Sequence, residues 1–379
     1  MQSIIVIGAG ILGASTAYHL ALEGAEVTLV DRMDQGQATD AAAGIVCPWL
    51  SQRRNKAWYQ LAKGGARYYP ELIAHLETDG ENETGYRKVG AISLHMDKNK
   101  LEQMAERALR RREDAPEIGE VTILSPVETK QLFPPLSEEF GSVHVSGGAR
   151  INGRAIRELL IRASIKKGIT YLNGNASLVI ERNKAIGIKL EEKILFADQV
   201  IVTAGAWANE LLQPLSVHFL VKPQKAQIIH LQLPETNTSQ WPVVIPPLNH
   251  YILTFSNGRV VVGSTHENEA GFDTSVTASG INEILSKALE VAPGLAASTY
   301  LETRVGFRPF TPGFLPVFGA LPGYQGIYLA NGLGASGLTS GPYLGKELAK
   351  LVLGKPTEID PTSYDVTGAL QTQSNSPTI

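Results

Sequence analysis

The sequence predicts an α/β plus α+β protein, in which a Rossmann-like parallel-sheet domain is interleaved with an antiparallel-sheet domain. Three observations predict it. The chain opens on a short apolar strand, a glycine-rich turn and a helix. Its middle carries strand-like runs on either side of Asn257-Gly258, a hairpin signal. A second strand, glycine-rich turn and helix follow over residues 327–339. A chain of 379 residues is too long for one small core and suits two intertwined domains.

Ile4-Ile5-Val6-Ile7 is β-branched throughout, as expected of a central parallel strand buried on both faces. Gly8-Ala9-Gly10-Ile11-Leu12-Gly13 follows, then a helical stretch over 14–23 that Gly24 stops, then a strand over 26–30 ending at Asp31. This is a βαβ unit with a dinucleotide-binding fingerprint. Gly8 permits the tight turn, Gly10 lets a pyrophosphate approach the backbone, and Gly13 lets the helix pack close to the sheet. The helix N-terminus offers free N–H groups and partial positive charge to phosphates. Asp31 falls where a carboxylate can accept hydrogen bonds from ribose hydroxyls. The fingerprint alone does not choose FAD over NAD(P). Thr39-Asp40-Ala41-Ala42-Ala43-Gly44 favours a flavin, because a loop of small residues can pass close beneath a cofactor lying across the sheet.

Helices are expected over 56–76, 98–113 and 127–133, the last capped by Ser125-Pro126, and a further one begins after an Asn152 N-cap. The arginines at 107 and 110–112 are expected to form a solvated helix face. Strands are expected over 90–94, 169–172, 185–190, 193–197 and 198–203, the last running into Thr203-Ala204-Gly205-Ala206-Trp207 at a parallel strand end, where ligands collect. Residues 222–233 and 251–265 read as a second, antiparallel sheet roofing a substrate. The resulting partition puts 1–76, 147–218 and 300–366 in the nucleotide-binding domain and 77–146 and 219–299 in the substrate domain. Residues 367–379 are expected to be a flexible tail.

Composition narrows the function classes. A net charge of −3 with no basic stripe argues against nucleic acid. Cys47 is the only cysteine, which excludes an internal disulfide and leaves no thiolate set for zinc or an iron–sulfur cluster, so no metal is expected. Cys47 itself reads as a small buried hydrophobe, and Arg53 and Arg54 as solvated. No apolar run is long enough to span a membrane, and no signal peptide is visible. A cytoplasmic enzyme is expected, peripheral to the inner membrane if a quinone takes its electrons.

The C-terminal region carries the most chemistry. Gly306-Phe307-Arg308-Pro309-Phe310-Thr311-Pro312 sets one arginine in an apolar stretch between proline-rich turns, where a guanidinium could grip a carboxylate at two points. Asn331-Gly332-Leu333-Gly334-Ala335-Ser336-Gly337-Leu338-Thr339 leads into a helix whose N–H groups could stabilise negative charge.

With these motifs in place, residues 3–365 resemble the D-amino acid oxidase superfamily of FAD-dependent oxidoreductases, in the branch of glycine oxidase, sarcosine oxidase and bacterial D-amino acid dehydrogenases. The resemblance implies non-covalent FAD, with Gly8, Gly10, Gly13 and Asp31 holding its ADP half. It implies Thr39, Ala42, Ala43 and Gly44 along the pyrophosphate and ring, and Gly334, Ala335, Ser336, Gly337, Leu338 and Thr339 at the far edge of the isoalloxazine. Ile11, Leu12, Arg32, Val46, Thr203, Ala204, Gly205, Trp207 and Arg308 are also expected to contact the cofactor. Arg308 matches the arginine that pairs with a substrate carboxylate, and Tyr251 falls near an active-site tyrosine. The resemblance has departures. The acid is Asp31 where Glu is usual, the turn Asn331-Gly332-Leu333-Gly334 stands where Gly-His-Gly is common, and no cysteine in the C-terminal half can tether a flavin.

The implied reaction is hydride transfer from a glycine, sarcosine, proline or D-amino acid type substrate to flavin N5. The imine then hydrolyses to a 2-oxo acid, and oxygen or a quinone serves as acceptor. No general base is assigned. A homo-oligomer is compatible with the sequence. Oxidation of a hydroxy acid or glycerol phosphate, an NAD(P)-dependent dehydrogenase, and a non-catalytic nucleotide-binding module are the competing readings.

Overall fold

The structure, a computed structural model, describes residues 2–247 and 249–371. A six-stranded sheet runs in the order Val317–Ala320, Ile327–Asn331, Gln199–Val202, Ser3–Ile7, Glu26–Asp31, Thr170–Asn173. All its pairings are parallel except the one made by Val317–Ala320 at the edge. The alternation along the first strand explains why no polar residue interrupts it. Ile4 and Val6 belong to a core beneath the helices, whereas Ile5 and Ile7 belong to a second core on the opposite face. The helices Ile11–Leu22, Lys56–Thr78, Gly153–Lys166 and Gly337–Val352 cover the first face. A three-stranded sheet, Ala176–Glu181, Lys184–Leu190 and Lys193–Phe196, covers the other through Ala176, Ala185 and Ile188. The sequence reading contains two of these three strands; Ala176–Glu181, half-exposed on several residues, is the addition.

The first helix begins at Ile11, three residues earlier than its composition indicates. Gly10 is its N-cap with extended backbone, and the Ile11 N–H is satisfied by Thr39 Oγ1 at 3.0 Å. The cap is thus supplied by a residue distant in sequence, which local propensity does not report. Local caps do appear where expected. The Asn152 side chain accepts from the Ala155 N–H, and Ser125 and Glu128 form a reciprocal capping box.

The second sheet has eight strands, in the order Thr299–Phe310, Lys222–Gln232, Arg259–Gly263, Tyr251–Thr254, Val243–Ile245, Ala91–His95, Gly141–Val145, Val121–Leu124. Asn257-Gly258 turns the hairpin between Tyr251–Thr254 and Arg259–Gly263, Asn257 with φ 61° and Gly258 with φ 76°. Three expectations need correction. Arg308 does not lie between turns. It sits within the twelve-residue strand Thr299–Phe310, opposite Gln224. Pro309 is tolerated because this is an edge strand, and it faces Pro223 near the end of the pair. It follows that residues 300–310 belong to the antiparallel sheet, not with the nucleotide-binding part, where the expected partition put them. The expected tail is also ordered further than residue 366. Leu370 bridges Phe219, and the Gln371 N–H donates to the His218 carbonyl at 3.0 Å. Residues 372–379 of that tail lie outside the described residues.

Helices Lys56–Thr78 and Gly337–Val352 cross at backbone contact. A Cβ on Gly65 would stand 2.0 Å from the Thr339 carbonyl oxygen. Gly65→Ala is therefore expected to lower stability by about 2 kcal/mol or more through overpacking. Gly368→Ala, at a position with no atom within 4 Å of the new methyl, should stay within about 0.5 kcal/mol of the parent. Denaturant titration of the two variants checks this, and equal stability would refute the close crossing.

Candidate active site

One continuous cavity of about 1110 Å³ runs from the ends of the parallel strands to the face of the eight-stranded sheet. Its first part is built by the fingerprint turn. Gly8 leaves the strand with φ 100° and donates its N–H to the Val30 carbonyl at 2.8 Å. A Cβ on Gly13 would stand 1.8 Å from the Gly8 carbonyl oxygen, so the helix can sit this close to the turn only with glycine there. A Cβ on Gly10, in contrast, would meet only Thr39 Oγ1 at 3.6 Å and otherwise project into open space. Gly205 and Gly337, also in the cavity wall, have nothing within 4 Å of that position. The wall is thus bare backbone at three separate points, a cradle suited to a long ligand lying against peptide groups.

Asp31 closes this end. Its Oδ2 accepts from the Ala9 N–H at 2.5 Å, and its Oδ1 accepts from the Met33 N–H at 2.6 Å and Gln37 Nε2 at 2.8 Å. These bonds orient the carboxylate and leave acceptor capacity on Oδ2 for a hydroxyl. Arg32, beside it, is held by Asp34 at 2.6 Å and Glu210 at 2.8 Å. With its charge already matched by two acids, Arg32 is a poor receptor for the 2′-phosphate of NADP.

The middle of the cavity is framed by two loops. Residues 41–45 pass along it, and position 44 requires glycine, because its φ is 99° and a side chain there would strike the Ile151 carbonyl oxygen. Opposite lies the turn Gly334–Ser336 leading into helix Gly337–Val352. Trp58 Nε1 donates to Ser336 Oγ at 3.0 Å, and Thr339 Oγ1 donates to the Ile45 carbonyl at 2.9 Å, tying the two loops together. Asn331, the last residue of strand Ile327–Asn331, donates from Nδ2 to the Gly205 carbonyl at 2.8 Å and accepts from the Gly332 N–H at 2.7 Å. Its role in this structure is to hold two cavity loops in register. Thr203 Oγ1 donates to the carbonyls of Ile7 and Gly8 at 3.0 and 2.9 Å.

The far end lies against the antiparallel sheet. Arg308 donates from Nη1 to Gln224 Oε1 at 3.1 Å and from Nη2 to Ser264 Oγ at 2.6 Å. Both partners are neutral, and no carboxylate pairs with Arg308 among the described residues. Burial pulls its guanidinium below the usual arginine value. Tyr251, three strands away on Tyr251–Thr254, faces the same space, and its hydroxyl lies where a Cβ on Gly263 would come within 2.6 Å. Burial raises the Tyr251 phenol, and the nearby Arg308 cation opposes that shift. His250 is 5% exposed, stacks on Tyr251 with 6.3 Å between centroids, and has no hydrogen-bond partner on either ring nitrogen among the described residues. Burial pushes it down to about 4, so its imidazole is neutral at pH 7. Trp207 and Phe307 line the adjoining wall, and Phe272, outside the cavity, packs against both, with centroids 5.1–5.9 Å apart among the three.

Among the residues expected to contact cofactor or substrate, all but Gly13 and Val46 line this cavity. Gly13 packs helix on turn, and Val46 is a buried strand residue paired with Ala149. Cys47 is buried, with its thiol raised to about 12 by burial, which makes it a space-filling residue at neutral pH. Sequence reasoning missed Gln224 and Ser264, whose side chains orient Arg308; neither sits in a motif, and only strand pairing brings them there. It also misplaced three arginines, of which Arg107 is half-buried and lines the cavity. Arg53 packs over the Trp58 ring at 4.8 Å, and Arg111 donates to the carbonyls of Trp49 and Ser51 while lying 4.6 Å from the Tyr59 ring centroid. Both are structural contacts of the loop that follows the cavity wall.

A bare-backbone cradle, a helix N-terminus and an oriented acid at one end fit the ADP half of FAD, and the small-residue loops leave room for the ring system. Comparison with known proteins agrees. Residues 3–351 match the family model DAO, FAD dependent oxidoreductase. The chain is 64% identical over 371 residues to the oxidoreductase YurR of Bacillus subtilis, covering 98% of this chain and 100% of that one. It is 31% identical over 376 residues to the glycine oxidase of Pseudomonas aeruginosa, covering 97% of this chain and 100% of that one. Iminodiacetate oxidase from Chelativorans sp. BNC1 superposes with a TM-score of 0.93 at 46% identity, covering 96% of this chain and 98% of that one. The cavity built on the Gly8 turn and the fold around it are therefore those of a flavoprotein, and the chain belongs to the DAO family of FAD-dependent oxidoreductases.

Proposed function

We propose that this enzyme oxidises the carbon–nitrogen bond of a small amino acid or secondary amine bearing a carboxylate. Arg308 carries the reading. A partly buried guanidinium held only by neutral partners among the described residues leaves an uncompensated charge that a carboxylate would relieve. Gln224 and Ser264 use two of its five N–H groups and fix its plane, and the remaining donors suit a two-point grip on an anion. The relatives support the choice of an amine: one is named for glycine, and another for iminodiacetate, a secondary amine.

Bound FAD supplies a two-electron acceptor for the hydride of the C–H bond next to nitrogen. The chain's own residues bind and orient. Asp31 accepts from a ribose hydroxyl, and the N-terminus of helix Ile11–Leu22 faces the phosphates. Loop residues 42–44 and the turn 334–339 flank the ring. Arg308 and Tyr251 hold the substrate carboxylate, and the Trp207, Phe272 and Phe307 cluster limits water. The substrate loses a hydride from carbon and a proton from nitrogen, and water then cleaves the resulting imine to a 2-oxo acid and ammonia or an amine. No side chain is assigned as general base. Oxygen or a quinone takes the electrons in turn. No helix among the described residues is long and apolar enough to cross a membrane.

The direct test is anaerobic titration of the purified flavoprotein with glycine, sarcosine, proline, D-amino acids and matching hydroxy acids. Bleaching of the flavin by one amine class is the expected result, and bleaching by hydroxy acids alone would overturn the amine assignment. Arg308→Ala is expected to raise KM for carboxylated substrates roughly 100-fold, with Arg308→Lys recovering only part of the loss because the fork is gone. Steady-state kinetics reads this, and unchanged kinetics would remove Arg308 from the site. Gly10→Val fills the open space above the turn, so the folded variant should purify with little visible flavin absorbance; full flavin content would contradict the cradle.

A further inference from the structure

We propose that the substrate carries a second carboxylate, bound at the corner between strand Ala91–His95 and helix Lys98–Arg112. This rests on the amine-oxidising reading of the same cavity and names its substrate class.

Charge in the cavity is segregated. Its acids, Asp31, Asp34 and Glu210, all lie at the end assigned to the adenosine. The rest of the wall holds no acid among the described residues, yet it contains Arg308, Arg107 and Lys100. Arg107 and Arg111 lie one turn apart on the same helix and differ sharply. Arg111 is used up by the Trp49 and Ser51 carbonyls and the Tyr59 ring. Arg107 is half-buried, lines the cavity, and makes no ion pair or side-chain hydrogen bond among the described residues. It also sits close enough for the two cations to repel. Lys100 and Gln103 occupy the same helical face, two turns and one turn before Arg107. His95 completes the corner. Its Nδ1 accepts from the Asp97 N–H at 2.9 Å, which puts the ring proton on Nε2 as a further donor. A neutral amine with one carboxylate uses Arg308 and leaves this group of donors without a counterpart.

The spacing sets the substrate's length. The Arg308 guanidinium is held at Ser264, just beyond strand Arg259–Gly263. From that strand to Ala91–His95 is three steps across the sheet, on the order of 14 Å at the usual strand spacing. Arg107, Lys100 and His95 line the far side of that span. The span exceeds the separation of two carboxylates across a single CH2–NH–CH2 link. The favoured substrate is therefore an N-carboxymethyl amine whose nitrogen bears a longer, acid-terminated arm.

The test compares N-carboxymethyl amino acids of increasing arm length with N-alkylglycines of equal length lacking the second acid. The wild-type flavoenzyme should prefer the longer diacids by roughly tenfold or more in kcat/KM. Arg107→Gln should remove that preference, whereas Arg110→Gln, an exposed arginine outside the cavity, should retain it. Calorimetric titration with thioether diacids, which carry sulfur in place of the amine, gives a reading independent of turnover; Arg107→Gln should weaken their binding about tenfold. Equal rates for diacids and monoacids, or equal losses in the Arg107 and Arg110 variants, would overturn the subsite and leave amine oxidation standing. If no amine is oxidised, the thioether titration still decides. Binding that depends on Arg107 supports the subsite, and its absence overturns it.

Discussion

The close approach of the Gly8 carbonyl to helix Ile11–Leu22 is the constraint on which the rest of the cavity depends. No side chain fits at Gly13, so the helix lies directly on the turn and its N-terminus opens onto the cavity. Thr203 reinforces the same point from the next strand, since its hydroxyl bonds the carbonyls of Ile7 and Gly8. Thr39 caps the helix from a loop that then continues along the cavity wall. A single short contact thereby couples the position of phosphate-binding donors to the path of the loop beneath the ring.

The second constraint is how the antiparallel sheet is joined to this frame. The Phe307 N–H donates to the Gly36 carbonyl at 2.8 Å, and Gln37 bridges Phe307 in parallel. The edge strand carrying Arg308 is thus bonded to the loop that caps the first helix. Arg308 cannot shift relative to the nucleotide end without breaking main-chain hydrogen bonds. Such rigidity suits a reaction in which the protein's contribution is positioning.

Electrostatics divides the same space. At one end, Asp31 is oriented by three donors and Arg32 is neutralised by two acids. At the other, Arg308 is held by an amide and a hydroxyl. A partly buried cation oriented by neutral groups keeps its attraction for an incoming anion, whereas a carboxylate partner would have quenched it. The fold keeps the acids at one end and the unpaired cations away from them.

The sequence by itself determined the parallel nucleotide-binding unit, the Asn257-Gly258 hairpin, the local helix caps and most of the cavity glycines. Those features are legible because each is decided within a few residues by a required φ, a missing Cβ or a local hydrogen bond. The tertiary structure alone decided the rest. It turned the proline-flanked Arg308 segment into an edge strand, placed Gln224 and Ser264 on its guanidinium, and gave Arg107 and Arg111 different surroundings although they share one helix. It also assigned Val46, which falls inside an expected cofactor-binding segment, to a buried strand paired with Ala149. These outcomes depend on which strands pair across the sheet and which loop meets which helix, and contacts between residues tens to hundreds of positions apart leave no periodic trace in the chain.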